Sequence, residues 1–302
     1  MRVGMIGLGK MGLSLTKNML DNGIEVVGFD LAPENVKAAK DAGAISASSL
    51  EDFVSKLGST KITWLLLPAG VPTDATIVKL TELLNKNDLI VDGGNSNFKD
   101  SLRHNKIVTE AGMRFFDCGT SGGQSGARNG GNFMIGGDDA DAFNQYLDPI
   151  FKLISEKDGY LYTGAAGSGH YLKMVHNGIE YGMMQAIGEG FDVLESGQYD
   201  YDNEAVAKLW NHGSVIRSWL MELVEDAFSD DAHLDDLLGR MHSSGEGQWT
   251  LQEALDSKVP TPVIALSVMM RYESMRNVDA NFTGKVVAAM RHGFGGHVVD
   301  KS

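Results

Sequence analysis

The sequence predicts a doubly wound α/β sheet domain followed by an all-helical domain, and three observations carry that expectation. Short β-rich runs alternate with helical patterns through the first half. A glycine-rich turn joins the first run to the first helical pattern. From Ala165 onward β-rich runs cease and long helical patterns take over. The chain has 302 residues, more than a single core usually holds, so two domains are expected, 1–163 and 164–302.

In chain order, residues 2–6, 25–29, 61–67 and 88–91 read as strands, separated by helical patterns such as 11–20 and 74–84. Strand candidates 114–117, 133–135 and 160–162 extend the sheet, with a helix expected over 138–153. The Gly/Ser/Ala-rich stretch 163–169 marks the boundary and leads into helical patterns at 171–194, 203–210, 216–228, 263–272 and 283–291.

Composition narrows the function. Hydrophobic residues make up 43% and charged residues 22%, values of a packed globular chain that exclude a largely disordered or fibrous one. A formal net charge of -14 repels a long phosphate backbone, so nucleic acid is not an expected partner and any basic site is local. The single cysteine, Cys118, forms no intrachain disulfide, and the N-terminus has no signal-peptide layout; a cytoplasmic location is expected. No apolar run reaches membrane-spanning length.

Gly7-Leu8-Gly9-Lys10-Met11-Gly12 follows the first strand and opens the first helix. In that setting Gly7 permits the tight turn, Gly9 lets backbone approach a pyrophosphate and Gly12 allows close helix packing. Free N–H groups at the helix start then hold the phosphates, which makes the first domain Rossmann-type. The second strand ends at Asp30, where a carboxylate hydrogen-bonds both hydroxyls of the adenosine ribose. Leu31 and Ala32 follow, so no arginine is at hand for a 2′-phosphate, and NAD is expected over NADP. Without a ligand the loop would be a plain turn and Asp30 a helix cap.

Lys173, His176, Asn177 and Glu180 fall at i, i+3, i+4 and i+7 on one helix face, with Tyr181 beside them. Burying four polar groups costs several kcal/mol unless they pair or bind a ligand. The remaining residues of the segment, Leu172, Met174, Val175, Ile179, Met183, Met184 and Ile187, are apolar and expected to be buried. No third ligand completes a zinc site, so no metal is expected. Two glycine-rich elements, 92–96 and 117–123, follow strands at the sheet edge where ligands collect.

The string Gly167-Ser168-Gly169-His170, continued by Lys173-Met174-Val175-His176-Asn177-Gly178-Ile179-Glu180-Tyr181, closely resembles the 6-phosphogluconate dehydrogenases. The resemblance covers nearly the whole chain and includes the glycine loop, DGGNS at 92–96, SGG at 121–123, GQWT at 247–250, VPTPVI at 259–264 and the tail from Arg291 to His297. It implies oxidation of the C3 hydroxyl of 6-phosphogluconate and decarboxylation to ribulose 5-phosphate and CO2. By the motif match Lys173 is the general base, a role requiring an amine whose pKa is lowered by burial and a nearby cofactor charge. Glu180 is the acid that protonates C1 of the enediol.

The same resemblance places Asn95, Ser121, Gly122, Gly123, His176 and Asn177 around the sugar acid, with Asn95 also at the cofactor. It places Tyr181 and Arg271 at the phosphate, and matches Arg291 and His297 to tail residues that reach the phosphate of a neighbouring subunit. A homo-oligomer, dimer or tetramer, is therefore expected. Three departures stand out. The chain resembles a short form without a duplicated helical half. Ser244 and Glu246 stand where the family has a phosphate-binding lysine and a threonine, so one positive charge is removed and one negative added. Gln124 replaces a common glutamate. Gln124 carries no consequence, whereas the charge change at Ser244 and Glu246 leaves a β-hydroxyacid dehydrogenase of an unphosphorylated acid as the alternative; a noncatalytic NAD-binding sensor is a third reading, opposed by the complete Lys173 and Glu180 pair.

Overall fold

The computed structural model describes residues 1–276 and 281–302. The chain divides into two compact units, Met1–Lys173 and Met174–Ser302, so the division falls inside one long helix, Ser168–Glu195.

The first unit is built on an eight-stranded sheet of β1 (Arg2–Ile6), β2 (Glu25–Phe29), β3 (Ile45–Ser46), β4 (Ile62–Leu65), β5 (Leu89–Asp92), β6 (Arg114–Ser121), β7 (Gly131–Gly136) and β8 (Ser155–Gly164). Their order is β3-β2-β1-β4-β5-β6-β7-β8, parallel throughout except between β6 and β7. The chain runs from β1 to one side and returns on the other at β4. The C-terminal ends of these two strands therefore flank the crevice where open sheets bind ligands. Alternation along the strands sends Val3, Met5, Val26 and Trp64 to one core and Ile6, Val27, Leu65 and Ile90 to the other. Buried Asn18, on the Lys10–Asp21 helix, donates to the carbonyls of Ala127 at 3.1 Å and Ile154 at 2.9 Å, fastening that helix to two later segments.

Several elements differ from their expected form. The expected helix over 138–153 is interrupted: Ala140–Ala142 gives way to a π-helical turn, Phe143–Leu147, before Asp148–Ile154 resumes. Pro149 lacks an N–H and its ring crowds the carbonyl one turn back, so the ladder shifts rather than running straight. Helix Phe98–Glu110 escapes the hydrophobic pattern because it buries Ser101, His104 and Val108, a face more polar than apolar. Its start is set by Asn97, whose side chain accepts from the Lys99 N–H.

The second unit is helical, with the Leu237–Lys301 bridge its sole β pairing among the described residues. After the long helix come Asn203–Asn211, Trp219–Asp230, Glu246–Asp256, Pro262–Ser274 and Phe282–Gly295. Ser218 caps Met221, which starts its helix at 219 rather than 216. Phe191 sits between Trp210 and Phe228, at centroid distances of 5.4 and 5.1 Å. Asp192 accepts from both the N–H and the hydroxyl of Thr283, tying the last helix to the long one.

The expected burial of every apolar residue on the long helix is corrected. Met174 and Met184 are buried with Tyr181 and Phe191, one stripe at helical spacing, whereas Leu172, Ile179 and Met183 are exposed. Besides its polar stripe the helix therefore carries apolar residues on a second side that its packing leaves exposed. A second uncovered stripe, Val263, Leu266, Met269 and Tyr272, runs along the Pro262–Ser274 helix. Among the described residues no helix is long and apolar enough to cross a membrane.

Candidate active site

The glycine loop follows β1, at the switch point of the sheet. Gly7 has φ +90°, and a side chain there would strike the Leu66 carbonyl. A Cβ on Gly12 would overlap the Gly7 carbonyl, so the Lys10–Asp21 helix packs on the strand only because Gly12 is bare. Gly9 faces open space, with no atom near the position of a Cβ. It caps the helix without a side-chain bond. Leu8, Lys10 and Met11 complete this cradle, whose bare backbone and uncapped N–H groups fit a pyrophosphate.

Asp30 ties the cradle to the end of β2. Its Oδ2 accepts from the Leu8 N–H at 2.6 Å and the Asn35 amide at 3.2 Å, and its Oδ1 accepts from the Ala32 N–H at 2.8 Å. The next helix, Pro33–Asp41, has Ala32 at its N-cap with no side-chain bond, so Asp30 is not its cap. Leu31 beside it is almost fully exposed.

The loops after β5 and β6 are shaped by close approaches. Asp92, wholly buried, accepts from the Ser96 hydroxyl at 2.9 Å and the Gly94 N–H at 3.1 Å, which holds the turn that exposes Asn95. Ser121 ends β6, and Gly122 and Gly123 follow at φ +99° and +57°, a left-handed pair suited to glycine. Upstream on β6, a Cβ on Gly119 would overlap the Cβ of Lys173. Lys173 thus lies directly on bare strand backbone. Gly119→Ala is therefore expected to push the lysine aside and lower kcat by about 10²-fold, the cost of roughly an ångström of misplacement. Dinucleotide affinity, measured by titration calorimetry, should stay unchanged.

His170 was not singled out as a site residue by sequence reasoning. It is buried, with Nδ1 2.7 Å from the Ser101 hydroxyl and Nε2 3.1 Å from the Gly94 carbonyl. The buried Asp117 carboxylate accepts from the N–H groups of Gly167 at 2.6 Å and His170 at 2.7 Å, and burial pushes its pKa above the ordinary carboxylate range. Asp117 and His170 together fix the start of the long helix, three residues before Lys173, against the loop carrying Asn95. The GSGH string was the signal for His170, and the 117–123 element that Asp117 opens was the signal for its partner.

In the second unit, His176 Nδ1 lies 3.0 Å from the Asn177 amide oxygen and 3.8 Å from Glu180 Oε2. Asn177 is buried, while His176 and Glu180 are partly exposed. Thr250 packs on bare Gly178 and donates to the Met174 carbonyl at 2.6 Å, docking the Glu246–Asp256 helix on this stretch. Arg271 stacks 4.2 Å from the Tyr181 ring centre and donates to the His242 carbonyl at 2.7 Å. Cation–π stacking of a desolvated guanidinium contributes about 2 kcal/mol, offsetting part of its burial. Burial still lowers the Arg271 pKa to about 10, and lowers that of Arg291, with Tyr181 and Glu180 opposing both shifts. Tyr181, Arg271, Arg291 and Glu180 therefore form one cluster.

The tail is arranged differently from a loose arm. Arg291 is buried inside the Phe282–Gly295 helix, within its own unit. Beyond it, the His297 ring packs edge-on to Phe294, and Asp300 pairs with Arg240 at 3.1 Å and His242 at 3.2 Å.

A glycine cradle at a sheet switch point and a helical lysine seated on the same sheet define a pyridine-dinucleotide oxidoreductase. Comparison with known proteins narrows the class. Residues 2–164 match the NAD binding domain of 6-phosphogluconate dehydrogenase, and residues 169–293 match its C-terminal domain. The chain is 52% identical over 301 residues to a Bacillus subtilis protein provisionally named as a 6-phosphogluconate dehydrogenase, covering 100% of both chains. It is 46% identical to the NAD(+)-dependent, decarboxylating 6-phosphogluconate dehydrogenase of Haloferax volcanii, covering 99% of this chain and 98% of that one. The solved 6-phosphogluconate dehydrogenase of Plasmodium falciparum superposes with a TM-score of 0.82 at 30% identity, covering 91% of this chain and 63% of that chain. The chain belongs to the 6-phosphogluconate dehydrogenase family.

Proposed function

We propose that the protein oxidises and decarboxylates 6-phosphogluconate to ribulose 5-phosphate and CO2, with NAD as hydride acceptor. The observation that carries this reading is the pairing, in one chain, of Lys173 seated on Gly119 with the Glu180, Tyr181, Arg271 and Arg291 cluster. Residues 1–163 would serve the dinucleotide, and 164–302 the substrate and subunit contacts.

Lys173 takes the proton of the C3 hydroxyl as the C3–H bond breaks. When bound, the nicotinamide supplies the hydride acceptor. The lysine, now protonated, hydrogen-bonds the new C3 ketone and draws electron density toward it. The C1–C2 bond then breaks, CO2 leaves, and as the electron pair of that bond moves into C2=C3 the lysine returns its proton to the C3 oxygen, giving an enediol. Glu180 delivers a proton to the carbon that lost the carboxylate, which becomes C1 of ribulose 5-phosphate, while Lys173 takes the proton of the C3 hydroxyl as the ketone re-forms. His176, Asn177, Asn95 and the Ser121–Gly123 turn hold the sugar hydroxyls and carboxylate, and Tyr181, Arg271, Arg291 and His297 hold the phosphate.

NAD preference rests on Asp30. A carboxylate between two ribose hydroxyls accepts two charge-assisted bonds, whereas a 2′-phosphate there adds a like charge that exposed Leu31 does not offset. Asp30→Asn combined with Leu31→Arg removes the repulsion and supplies a partner, so the ratio of kcat/KM for NAD over NADP should fall. A wild type that works better with NADP would place the reading of the 2′ position elsewhere.

The uncovered apolar stripes Leu172, Ile179, Met183 and Val263, Leu266, Met269 support a homo-oligomer, a dimer or tetramer. A cytoplasmic location belongs to the same proposal, and a tail shared between subunits would act through His297, since Arg291 is buried within its own unit. One observation favours the second reading, an unphosphorylated acid: Glu246 lies buried near Arg291. Assays of 6-phosphogluconate and gluconate side by side decide between them. The proposal expects 6-phosphogluconate to have much the higher kcat/KM, and a preference for gluconate would reverse it.

A further inference from the structure

Glu246 opens the Glu246–Asp256 helix, is 2% exposed, and has an Oε2 with no hydrogen-bond partner. A buried carboxylate oxygen left unpaired costs free energy, so it calls for a donor that binding would bring. Titratable and charged groups face it from three neighbouring helices. The long helix contributes Glu180 and Tyr181, the Pro262–Ser274 helix contributes Arg271, and the Phe282–Gly295 helix contributes Arg291, whose charge Glu246 helps to sustain. The contact is tight: a Cβ on Gly247 would meet the Tyr181 ring at 2.6 Å, and the Ser244 N–H donates to the Tyr181 hydroxyl at 3.4 Å.

We propose that Glu246 makes this cluster a site for a phosphate ester carrying one proton, with the unpartnered carboxylate oxygen accepting the P–OH hydrogen while Arg271 and Arg291 hold the other oxygens. The proposal rests on the substrate reading above and deepens it. Two buried arginines suit an anion, but a carboxylate and a fully ionised phosphate held together away from water repel. One shared proton removes the repulsion and turns it into a charge-assisted bond. The second ionisation of a phosphate ester lies near pH 6, so above about pH 6 the free substrate must take up a proton to bind.

The test has two arms. In the first, wild type and Glu246→Gln are titrated with 6-phosphogluconate at about pH 8, in buffers of different ionisation enthalpy. Wild type should take up about one proton more than the variant. The KM of wild type should climb with pH above about 6, while that of the variant stays flatter and is about tenfold lower at pH 8. The KM for NAD, a check on the fold, should not move. Equal proton uptake, or a KM raised in the variant at every pH, would overturn the proposal.

The second arm needs wild type alone. Sulfate matches phosphate in shape but carries no proton near neutrality, so phosphate should inhibit competitively with at least about tenfold greater potency than sulfate. Equal inhibition would overturn the proposal even if Glu246→Gln failed to fold. If 6-phosphogluconate binds neither protein while NAD binds both, the substrate reading itself falls.

Discussion

Lys173→Met is expected to lower kcat by about 10²- to 10⁴-fold, the usual cost of losing a positioned base. Methionine keeps the length and the apolar stem that rest on Gly119, so the substitution removes the amine and leaves the packing in place. Two steps of the proposed mechanism suffer together, because in it the same nitrogen takes the C3 proton and later polarises the ketone. Dinucleotide binding, which the proposal assigns to the loop at Gly7, Gly9 and Gly12 and to Asp30, should be nearly unchanged by calorimetry. A variant that turns over close to the wild-type rate would remove Lys173 from the mechanism.

Glu180→Gln is expected to lower the overall rate by about 10²-fold or more, with the loss falling after oxidation. Glutamine preserves the length and one hydrogen-bond acceptor but carries no acidic proton. NADH and CO2 should still form, out of step with ribulose 5-phosphate. Solvent deuterium should enter C1 of the product more slowly than in wild type. Unchanged exchange would assign that proton to another group.

The glycine cradle, Asp30 and the Lys173 to Tyr181 string were legible in the sequence because each carries a local signature. Gly7 and Gly12 are glycines for steric reasons that no other residue satisfies, and the long helix announces itself by length and apolar content. Two helices that position the site were hidden for one shared reason. Phe98–Glu110 buries Ser101 and His104, and Glu246–Asp256 buries Glu246, Gly247, Thr250 and Ala254, so neither shows an apolar stripe on its inward face. The bond of Asp117 to the His170 N–H and the nearness of Glu246 to Arg291 join residues far apart in the chain, and spacing holds no trace of them. The exposed side of the long helix was misread because apolar content says that a surface is covered without saying by what.

If one chain couples oxidation at C3 to loss of the carboxylate, the ratio of CO2 to NADH formed from 6-phosphogluconate by the purified enzyme shows it most directly. Equal molar amounts, with ribulose 5-phosphate accumulating in step, are the predicted result. NADH formed without CO2 would contradict the account, because it would leave Lys173 and Glu180 with an oxidation and no decarboxylation to perform.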